Sequence, residues 1–416
     1  MGDSYEYVFM ALNIKEYGLF YASNTAWGIY PLYFTLRPPG YSLFLLLVYL
    51  FAVNNWAVLL LQNALSVFNI FLSRKVLLMS GFDRKYDGLL LLFIGAYPAQ
   101  FIFANTLAPD LLLQTFVLCY VYFWINMIRE TKSNWAWKMS LALLGAVFTK
   151  PIFYFFIPIH FLMLLYFGFK KKQRSRLLFP ALIPIIVVLL YNSWNVQRTG
   201  KFHFTGIQPW NAMYYNVRMY QEQRLGKLLA AQYMQQEQQR WDSASTNFAS
   251  WYEYGNHRAE SFLKAHFFSY LWFHLKYSVQ FFIHPGKGEI DLFTGRLTYG
   301  QFYKKDNKRI VEILKSTPVA QLPTFFKTHL SVVVMFLVLL FNFFKIVGVG
   351  IFLVDIKTSW AIKVALFSIP IYLALLTGPL ANTRYHLPVS LLVIGCGVLG
   401  FQKLGQRKKI LGNHSS

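Results

Sequence analysis

Acidic and basic side chains stand at the ends of several apolar segments in this sequence. The acidic ones are Asp3, Glu6 and Asp110. The basic ones are Arg37, Lys150, Arg198 and Arg384, and Tyr385 follows the last of them. A carboxylate can remove the proton from an attacking hydroxyl group. Guanidinium and ammonium groups can hold a phosphate and stabilise it as it leaves. These residue types therefore suit transfer of a group from a phosphate to a hydroxyl.

Each of these residues also has a purely structural interpretation. Asp110 follows Pro109 and would favour the start of a helix. Lys150 and Arg384 would serve as snorkelling anchors at a membrane surface, and Arg198 would keep a loop in water. A common location would favour the chemical interpretation, because ionisable residues grouped at a membrane face are candidates for function.

The composition defines the class of protein. Of the 416 residues, 56% are hydrophobic, 19% are aromatic and only 14% are charged, which is too little charge for the surface of a soluble domain. The formal net charge is +23, but the basic residues cluster between apolar runs, as in cytoplasmic loops, so we expect no nucleic-acid partner. Cys119 and Cys396 lie inside apolar runs and form no disulfide framework. The sequence predicts an all-α integral membrane protein.

About nine apolar segments are candidates for membrane crossings, and most approach the roughly 20 residues that a helix needs to span a bilayer. The segments are 56–76, 86–106, 109–128, 135–149, 151–169, 177–195, 329–354, 359–377 and 387–402. Lys345, inside the seventh, is expected to snorkel towards the cytoplasmic side. The run 40–53 is too short to cross and is predicted to be a juxtamembrane helix.

The loops between these segments fall into two chemical classes. "SRKVLLMSGFDRK", "RETKSNWAWK", "FKKKQRSR" and "DIKTSWAIK" are basic and fall on one side if each segment crosses once. Basic loops face the cytoplasm. The candidate residues then all lie at the outer surface, which favours the chemical interpretation over the structural one.

This topology divides the chain into five parts. They are a first outer loop with juxtamembrane helices at 1–55, a transmembrane core at 56–195, an outer loop domain at 196–328, transmembrane helices at 329–403 and a basic cytoplasmic tail at 404–416. Within the outer loop, the stretch 262–285 contains Lys264, His266, His274 and Lys276. We expect it to form an amphipathic helix on the membrane surface rather than a tenth crossing.

A lipid-linked sugar matches the chemistry of these outer residues. A sugar carried on a polyprenyl phosphate presents an anionic phosphate at the interface, with its tail in the lipid and its sugar outside. The cations would hold that phosphate, which makes Arg37 a phosphate ligand. A carboxylate would accept the proton of the hydroxyl that attacks the anomeric carbon.

The order of six segments resembles a known family. They are "GDSYEYVFMALNIKEYG", "LRPPGYSLF", "NTLAPDLLL", "TKPIFYFFIP", "YNSWNVQRTGKFHF" and "NTRYHLP". Together they resemble the bacterial membrane glycosyltransferases related to protein mannosyltransferases and lipid A aminoarabinose transferases, in the GT-C superfamily. No single motif is specific, but the order covers essentially the whole chain.

The resemblance implies roles for individual residues. Asp3 matches the catalytic aspartate of the first outer loop, and Asp110 matches a second acidic residue. Arg37 and Lys150 match basic residues near the donor phosphate, and Arg384 and Tyr385 match more weakly. Members of the family begin with a transmembrane helix, whereas Asp3 stands at the third position here. We expect either an upstream start or the loss of that helix.

The resemblance also implies the reaction, which is inverting transfer of a sugar from a polyprenyl-phosphate donor to a lipid, glycan or protein acceptor. The enzyme would lie in the bacterial inner membrane with its site on the periplasmic side. Two alternatives stay open. A polymerase or ligase of lipid-linked polysaccharide would use a lipid diphosphate, and a transporter would carry inverted repeats and mid-bilayer charges. No metal-ligand spacing is present, although Asp3 and Asp110 together would be able to share the divalent ion that some members use.

Overall fold

The computed structural model describes residues 2–130, 132–172, 174–296, 318 and 330–412, and within these ranges every regular element is a helix. The α-helices, numbered in chain order, are α1 Gly2–Tyr17, α2 Leu32–Thr35, α3 Gly40–Tyr49, α4 Asn55–Met79, α5 Asp87–Gly95, α6 Pro98–Ala104, α7 Asp110–Glu130, α8 Asn134–Thr149, α9 Phe156–Lys170, α10 Arg174–Thr199, α11 Gln208–Asn211, α12 Arg218–Leu225, α13 Lys227–Ala244, α14 Phe248–Ala265, α15 Phe267–Ser278, α16 Gln280–Ile283, α17 Lys287–Phe293, α18 Leu330–Val354, α19 Trp360–Thr377 and α20 Thr383–Gly412. Part of the predicted outer domain and the end of the predicted basic tail lie outside the described residues.

Six of these helices are long and apolar enough to cross a membrane, among the residues described. They are α4, α7, α10, α18, α19 and α20. The chain is therefore an all-α membrane protein, as the composition predicts. The remaining three predicted crossings correspond to shorter helices.

The predicted crossing 86–106 is not one straight helix. It consists of α5 and α6, which meet at a bend of 67°. The bend falls before Pro98, which occupies the first turn of α6. Proline fits a first helical turn but cannot continue the hydrogen bonding of a preceding helix, so the chain turns there. With this pair counted as one span, the described residues hold up to seven spans.

Two further predicted crossings, 135–149 and 151–169, form helices that are shorter than a full span. Helix α8 has 16 residues and α9 has 15, against the roughly 20 that a straight crossing needs. Helix α3 has only 10 residues, so it cannot cross alone, and its juxtamembrane position stays a prediction. Nine full crossings therefore stay a prediction.

The stretch 262–285 is interrupted rather than forming one helix. It contains the end of α14, then α15 with 12 residues and α16 with 4. On α15, Phe268 and Trp272 expose 83% and 72% of their surface. The opposite side of α15 packs near the end of α19, where His274 Nε2 lies 2.6 Å from the carbonyl oxygen of Leu375. This helix has an apolar outer face and a polar contact to the transmembrane helices.

Lys345 does not snorkel, contrary to the prediction. It is 3% exposed inside α18, where its Nζ donates to the carbonyl oxygen of Phe282 at 3.0 Å and to Asn342 Oδ1 at 2.8 Å. Phe282 belongs to the four-residue helix α16, whose last carbonyl groups have no partner within so short a helix. The ammonium group satisfies one of them, so Lys345 links α16 to α18.

Helices α18 and α20 pack with their backbones in close contact. A Cβ atom placed on Gly400 would lie 1.8 Å from the carbonyl oxygen of Gly348, and one placed on Gly348 would lie 2.2 Å from that of Gly397. Such distances exclude any side chain larger than hydrogen. Small residues allow this kind of approach between membrane helices, and it fixes α20, which carries Arg384 at its start.

Candidate functional site

Two carboxylates from distant parts of the chain are joined by one guanidinium group. Arg384 Nη1 donates to Asp3 Oδ2 at 2.8 Å, and its Nε donates to Asp110 Oδ2 at 3.0 Å. Asp3 lies in the first turn of α1, Asp110 begins α7 and Arg384 lies in the first turn of α20. Arg384 thus holds the starts of three helices together.

Three more charged residues extend this group. Lys150 Nζ donates to Asp110 Oδ1. Arg37 Nε donates to Glu6 Oε2, and Arg37 Nη2 lies 3.8 Å from Asp3 Oδ1. We name the set the ion-pair cluster, and it consists of Asp3, Glu6, Arg37, Asp110, Lys150 and Arg384. Its three acidic and three basic groups balance, so the cluster as a whole is formally neutral.

The segment "RPPG" places Arg37 beside Lys150. A Cβ atom on Gly40 would lie 2.6 Å from the carbonyl oxygen of Phe148 and 2.9 Å from the backbone nitrogen of Thr149. Only glycine permits helix α3 to begin so close to the end of α8. Lys150 is the residue immediately after α8, and the close contact therefore brings the two cations to the same region.

The chain before Arg37 is fixed by residues that the sequence did not single out. His203 Nε2 lies 2.8 Å from Thr35 Oγ1, and Thr205 Oγ1 donates to the carbonyl oxygens of Thr35 and Leu36 at 3.1 and 3.2 Å. His203 is held in turn by Asn195, whose Nδ2 donates to its carbonyl oxygen at 2.7 Å. The segment "FHFTG" follows α10 in the sequence, but nothing in its composition indicates that it contacts residues about 170 positions away.

A second set of polar contacts fixes Asp110. Tyr41 donates to Gln62 Oε1 at 2.5 Å, and Gln62 Nε2 donates to the carbonyl oxygen of Thr106 at 2.8 Å, in the turn before α7. One turn beyond Asp110, Gln114 Nε2 donates to the carbonyl oxygen of Leu387 at 2.7 Å. These bonds hold the start of α7 against α4 and α20.

Asp3 is also fixed by its neighbour. Ser4 Oγ donates to the carbonyl oxygen of Leu107 at 2.6 Å, which attaches the first turn of α1 to the turn before α7. Beneath Arg37, the ring centroid of the buried Tyr7 lies 5.8 Å from the guanidinium carbon. Helix α1 thus carries the carboxylate of Asp3 and, through Tyr7, also contacts the guanidinium of Arg37.

Tyr385 contacts the ion-pair cluster, whereas Arg198 makes its contacts elsewhere. The ring centroid of Tyr385 lies 5.0 Å from Lys150 Nζ, a cation–π distance. The guanidinium of Arg198 stacks on Trp194 at 3.5 Å and donates to Asn195 Oδ1. Among the described residues, Arg198 forms no hydrogen bond or ion pair with the cluster. Its contribution is to Asn195, which holds His203.

The electrostatics of the cluster differ from group to group. Burial alone would raise the pKa of Asp3, but Arg384 and Arg37 outweigh it and hold that pKa well below its usual range. Burial raises the pKa of Glu6, and Arg37 offsets this only in part. Burial also lowers the pKa of Lys150, against the opposing effect of Asp110. Asp3 is therefore ionised at neutral pH, and an anion that drew the two arginines away from it would make it a stronger base.

A cavity of about 460 Å³ adjoins the cluster. Ser4 and Tyr5, which follow Asp3, line one side, and Thr106 and Leu107, which precede Asp110, line another. Phe293 of α17 contributes an apolar surface. None of the six cluster residues lines the cavity, so it lies beside the segments that carry Asp3 and Asp110 rather than against the two carboxylates.

The described residues contain no group of three or more His, Cys, Asp or Glu side chains able to hold a metal ion. Asp3 and Asp110 do not fit a shared divalent ion as they stand, because the guanidinium of Arg384 lies between them and is bonded to both. The chemistry available in this arrangement is that of carboxylates and fixed cations.

Comparison with known proteins does not assign the chain to a family. No protein-family model matches it, and no curated protein and no solved structure gives a significant match. The resemblance to the GT-C glycosyltransferases therefore stays a prediction from the sequence motifs.

Proposed function

We propose that the ion-pair cluster is the active site of an inverting glycosyltransferase that takes a sugar from a polyprenyl-phosphate donor. The observation that supports the proposal is that Asp3 and Asp110 form ion pairs with Arg37, Lys150 and Arg384. This set combines groups that accept a proton with groups that bind a phosphate, within one partly enclosed site. The order of the six sequence motifs supports the same reaction.

The reaction uses these groups in one displacement. The acceptor hydroxyl oxygen attacks the anomeric carbon from the face opposite the phosphate and forms the new glycosidic bond. The bond between the anomeric carbon and the phosphate oxygen breaks, and its electron pair leaves with the phosphate. Asp3 takes the hydroxyl proton, and the cations stabilise the charge that develops on the phosphate. Asp110 positions Lys150 and Arg384 for this role.

Arg37 is the cation best placed to receive the phosphate. Its Nε is bonded to Glu6, but its nearest contact to Asp3 is a long 3.8 Å. In the described part of the chain, most of its donor groups therefore have no short bond to a carboxylate. Its side chain is 17% exposed, so an incoming anion can reach it. A guanidinium with unused donors can bind a phosphate through two parallel hydrogen bonds.

The positions of the helix ends favour a site on the outer face of a bacterial inner membrane. Helix α7 runs from Asp110 to the basic Arg129, and α20 runs from Arg384 past Lys403. Twenty-one residues of helix rise about 30 Å, the thickness of a bilayer core. Because basic ends face the cytoplasm, the cluster would lie on the opposite side, where lipid-linked sugars present their head groups to an external acceptor.

Topology reporters test this placement. We expect fusions after Lys172 and after Gln402 to give a cytoplasmic signal, and fusions near Trp251 to give an external one, because the basic segments stay inside. Paired reporters that are active on only one side of the membrane make the measurement in bacterial cells. A cytoplasmic signal near Trp251 would place the cluster on the cytoplasmic side and would contradict the proposed transfer to an external acceptor.

Substitution of the phosphate ligands tests the reaction itself. Arg37→Ala and Lys150→Ala should each lower turnover by about 10²–10³-fold, the usual cost of losing one group that stabilises developing negative charge. Arg37→Lys should remain impaired, because an ammonium group cannot bind two phosphate oxygens in the same fork geometry. The assay follows radiolabelled sugar from a polyprenyl monophosphate to acceptor, with the purified full chain in lipid nanodiscs.

Two matched variants control for the loss of a cation as such. Lys75 lies over the ring of Tyr122 at 4.9 Å, much as Lys150 lies over Tyr385. Arg258 is bonded to Glu237 through Nε and Nη2, away from the cluster. Lys75→Ala and Arg258→Ala should keep near wild-type turnover. Equal and mild losses in all four alanine variants would favour the structural interpretation of the cations, and transfer only from a lipid diphosphate would favour a polysaccharide polymerase or ligase.

A further inference from the structure

A second cavity lies between the first outer loop and the helical domain that follows α10. Its volume is about 560 Å³. One wall is formed by Trp27 and Tyr30, before α2, and the facing wall by Asp242 in the last turn of α13 and by Thr246 and Asn247 just before α14. Neither the sequence motifs nor the proposed reaction uses these residues. We name this cavity the aromatic cleft.

The aromatic wall consists of two large rings that are mostly exposed. Trp27 and Tyr30 expose 68% and 59% of their surface. Large apolar side chains at the mouth of a cavity usually mark a binding surface. Sugar rings carry apolar C–H faces, and those faces pack flat against aromatic rings. The two rings are therefore suited to a ligand that is apolar on its faces and polar at its edges.

The facing wall supplies polar groups for the edges of such a ligand. Asp242 Oδ1 accepts a bond from Gln238 at 2.7 Å, and a carboxylate can accept further bonds through its second oxygen. Asn247 Oδ1 accepts from the backbone nitrogen of Ser250 at 2.9 Å, so its amide group remains available as a donor. A carboxylate, an amide and the hydroxyl of Thr246 are the groups that bind sugar hydroxyls.

The polar wall also distinguishes a sugar from a lipid surface. Trp27 and Tyr30 alone would suit the interface of a membrane. Asp242, however, would lose its hydration if lipid filled the cleft, and that loss is costly for a charged group. Among the described residues, no basic side chain lines the cleft, so an acidic ligand is also disfavoured. A neutral oligosaccharide fits both walls.

The loop that carries the rings is rigidly built. The hydroxyl of the fully buried Tyr21 donates to the carbonyl oxygen of Gly28 at 3.0 Å and accepts from the backbone nitrogen of Tyr30 at 3.0 Å. Gly28 has φ of +94°, a conformation that favours glycine. Asn13 of α1 donates to the carbonyl oxygens of Tyr21 and Ser23 at 2.7 and 2.8 Å. The loop that carries the rings is thus held by α1, the helix that carries Asp3.

We propose that the aromatic cleft binds a neutral oligosaccharide and that this oligosaccharide belongs to the acceptor. The second part rests on the proposed glycosyltransferase function, whereas the first does not. Because α1 carries Asp3 and also holds the loop of the cleft through Asn13, we place the acceptor with its glycan in the cleft and one hydroxyl group at the cluster. The acceptor is therefore a glycan or a glycosylated molecule rather than an unmodified peptide.

Equilibrium dialysis measures the binding directly. The purified full chain in nanodiscs is dialysed against tritiated chitotetraose, maltotetraose and mannotetraose, with tetragalacturonic acid as the acidic comparison. We expect at least one neutral tetrasaccharide to bind and the acidic one not to bind. Trp27→Ala, Tyr30→Ala and Asp242→Asn should each weaken binding by about tenfold, the loss expected when one ring contact or one charged hydrogen bond is removed. Trp27→Phe should retain most of the binding.

Matched surface variants control for the loss of exposed rings. Trp360 and Tyr166 expose 72% and 60% of their surface and lie outside the cleft, so Trp360→Ala and Tyr166→Ala should bind as the wild type does. Failure of every neutral tetrasaccharide to bind would overturn the proposal. Wild-type affinity in all three cleft variants, Trp27→Ala, Tyr30→Ala and Asp242→Asn, would overturn it as well.

The two proposals fail in different ways. If the wild type binds a tetrasaccharide in the cleft but transfers no sugar from a polyprenyl monophosphate, the glycosyltransferase function fails and the binding site stands. If it transfers sugar and the cleft variants leave the KM for a glycan acceptor unchanged, the acceptor role of the cleft is wrong. A raised KM for the acceptor with an unchanged KM for the donor is the result that we expect.

Discussion

Asp3→Asn should abolish sugar transfer while leaving donor binding largely intact. The amide has nearly the shape of the carboxylate and can still accept the bond from Arg384, which lies 2.8 Å from Asp3 Oδ2, but it cannot take the acceptor proton. Losing a general base typically costs about 10²–10⁴-fold in rate. The measurement compares single-turnover transfer of radiolabelled sugar with the binding of the same donor to the same protein preparation.

The control for Asp3→Asn is an exposed aspartate that also pairs with a cation. Asp83 Oδ2 lies 2.6 Å from Lys85 Nζ, and both side chains are substantially exposed. Asp83→Asn should transfer sugar at close to the wild-type rate. Wild-type transfer by Asp3→Asn would exclude Asp3 as the base and leave Glu6 or Asp110 as the remaining candidates.

Arg384→Gln should damage both activity and stability. It removes the group that joins Asp3 to Asp110, and Asp110 has a fully buried side chain that would then have only Lys150 to balance its charge. Removing one partner of a buried ion pair costs about 3–5 kcal/mol, and the lower end applies here because Arg384 is 20% exposed. Transfer should also fall by about 10²–10³-fold, as for other groups that stabilise charge in the reaction. Thermal unfolding in detergent and the transfer assay measure the two effects.

Arg74 provides the matched comparison for Arg384. It donates to both oxygens of Asp87, at 2.8 and 2.7 Å, but the two side chains are about one third exposed. An exposed pair is worth at most about 1 kcal/mol, so Arg74→Gln should lower the unfolding midpoint much less and leave transfer unchanged. Equal destabilisation in the two variants would show that Asp110 does not depend on Arg384 for its charge balance.

The convergence of the candidate residues followed from simple features of the sequence. Asp110, Lys150 and Arg384 stand at ends of apolar segments, and the basic loops identify the opposite ends. Counting the segments then assigns these residues to one membrane face. This predicted common face needed no knowledge of which helices touch, because a membrane forces helix ends into two layers.

The pairing of the cations could not be predicted in the same way. From the sequence, each cation has the same expected role towards a phosphate, whereas the structure bonds Lys150 and Arg384 to Asp110 and leaves Arg37 mainly with Glu6. These partners are chosen by helix packing, and the contact of Gly40 with Phe148 is an example. No local pattern in the chain encodes such contacts between distant segments.

Two other differences have the same origin. The bend before Pro98 was readable in principle from the proline, but an apolar run of sufficient length also fits a straight crossing. Lys345 fits a snorkelling anchor by sequence, and only the carbonyl group of Phe282, 63 positions away, shows that it has a partner inside the protein. Apolar length predicts that a segment enters the membrane better than it predicts the path of the segment.

The bond between Asp3 and Arg384 has a consequence for the biogenesis of the protein. The two residues are 381 positions apart, so Asp3, Arg37, Asp110 and Lys150 are all synthesised long before Arg384 emerges from the ribosome. Nascent chains that lack α20 can form the pair between Lys150 and Asp110, but their carboxylates are not yet joined. The ion-pair cluster is therefore completed late in translation, and an arrested or truncated chain that lacks α20 would remain in the membrane with an incomplete cluster.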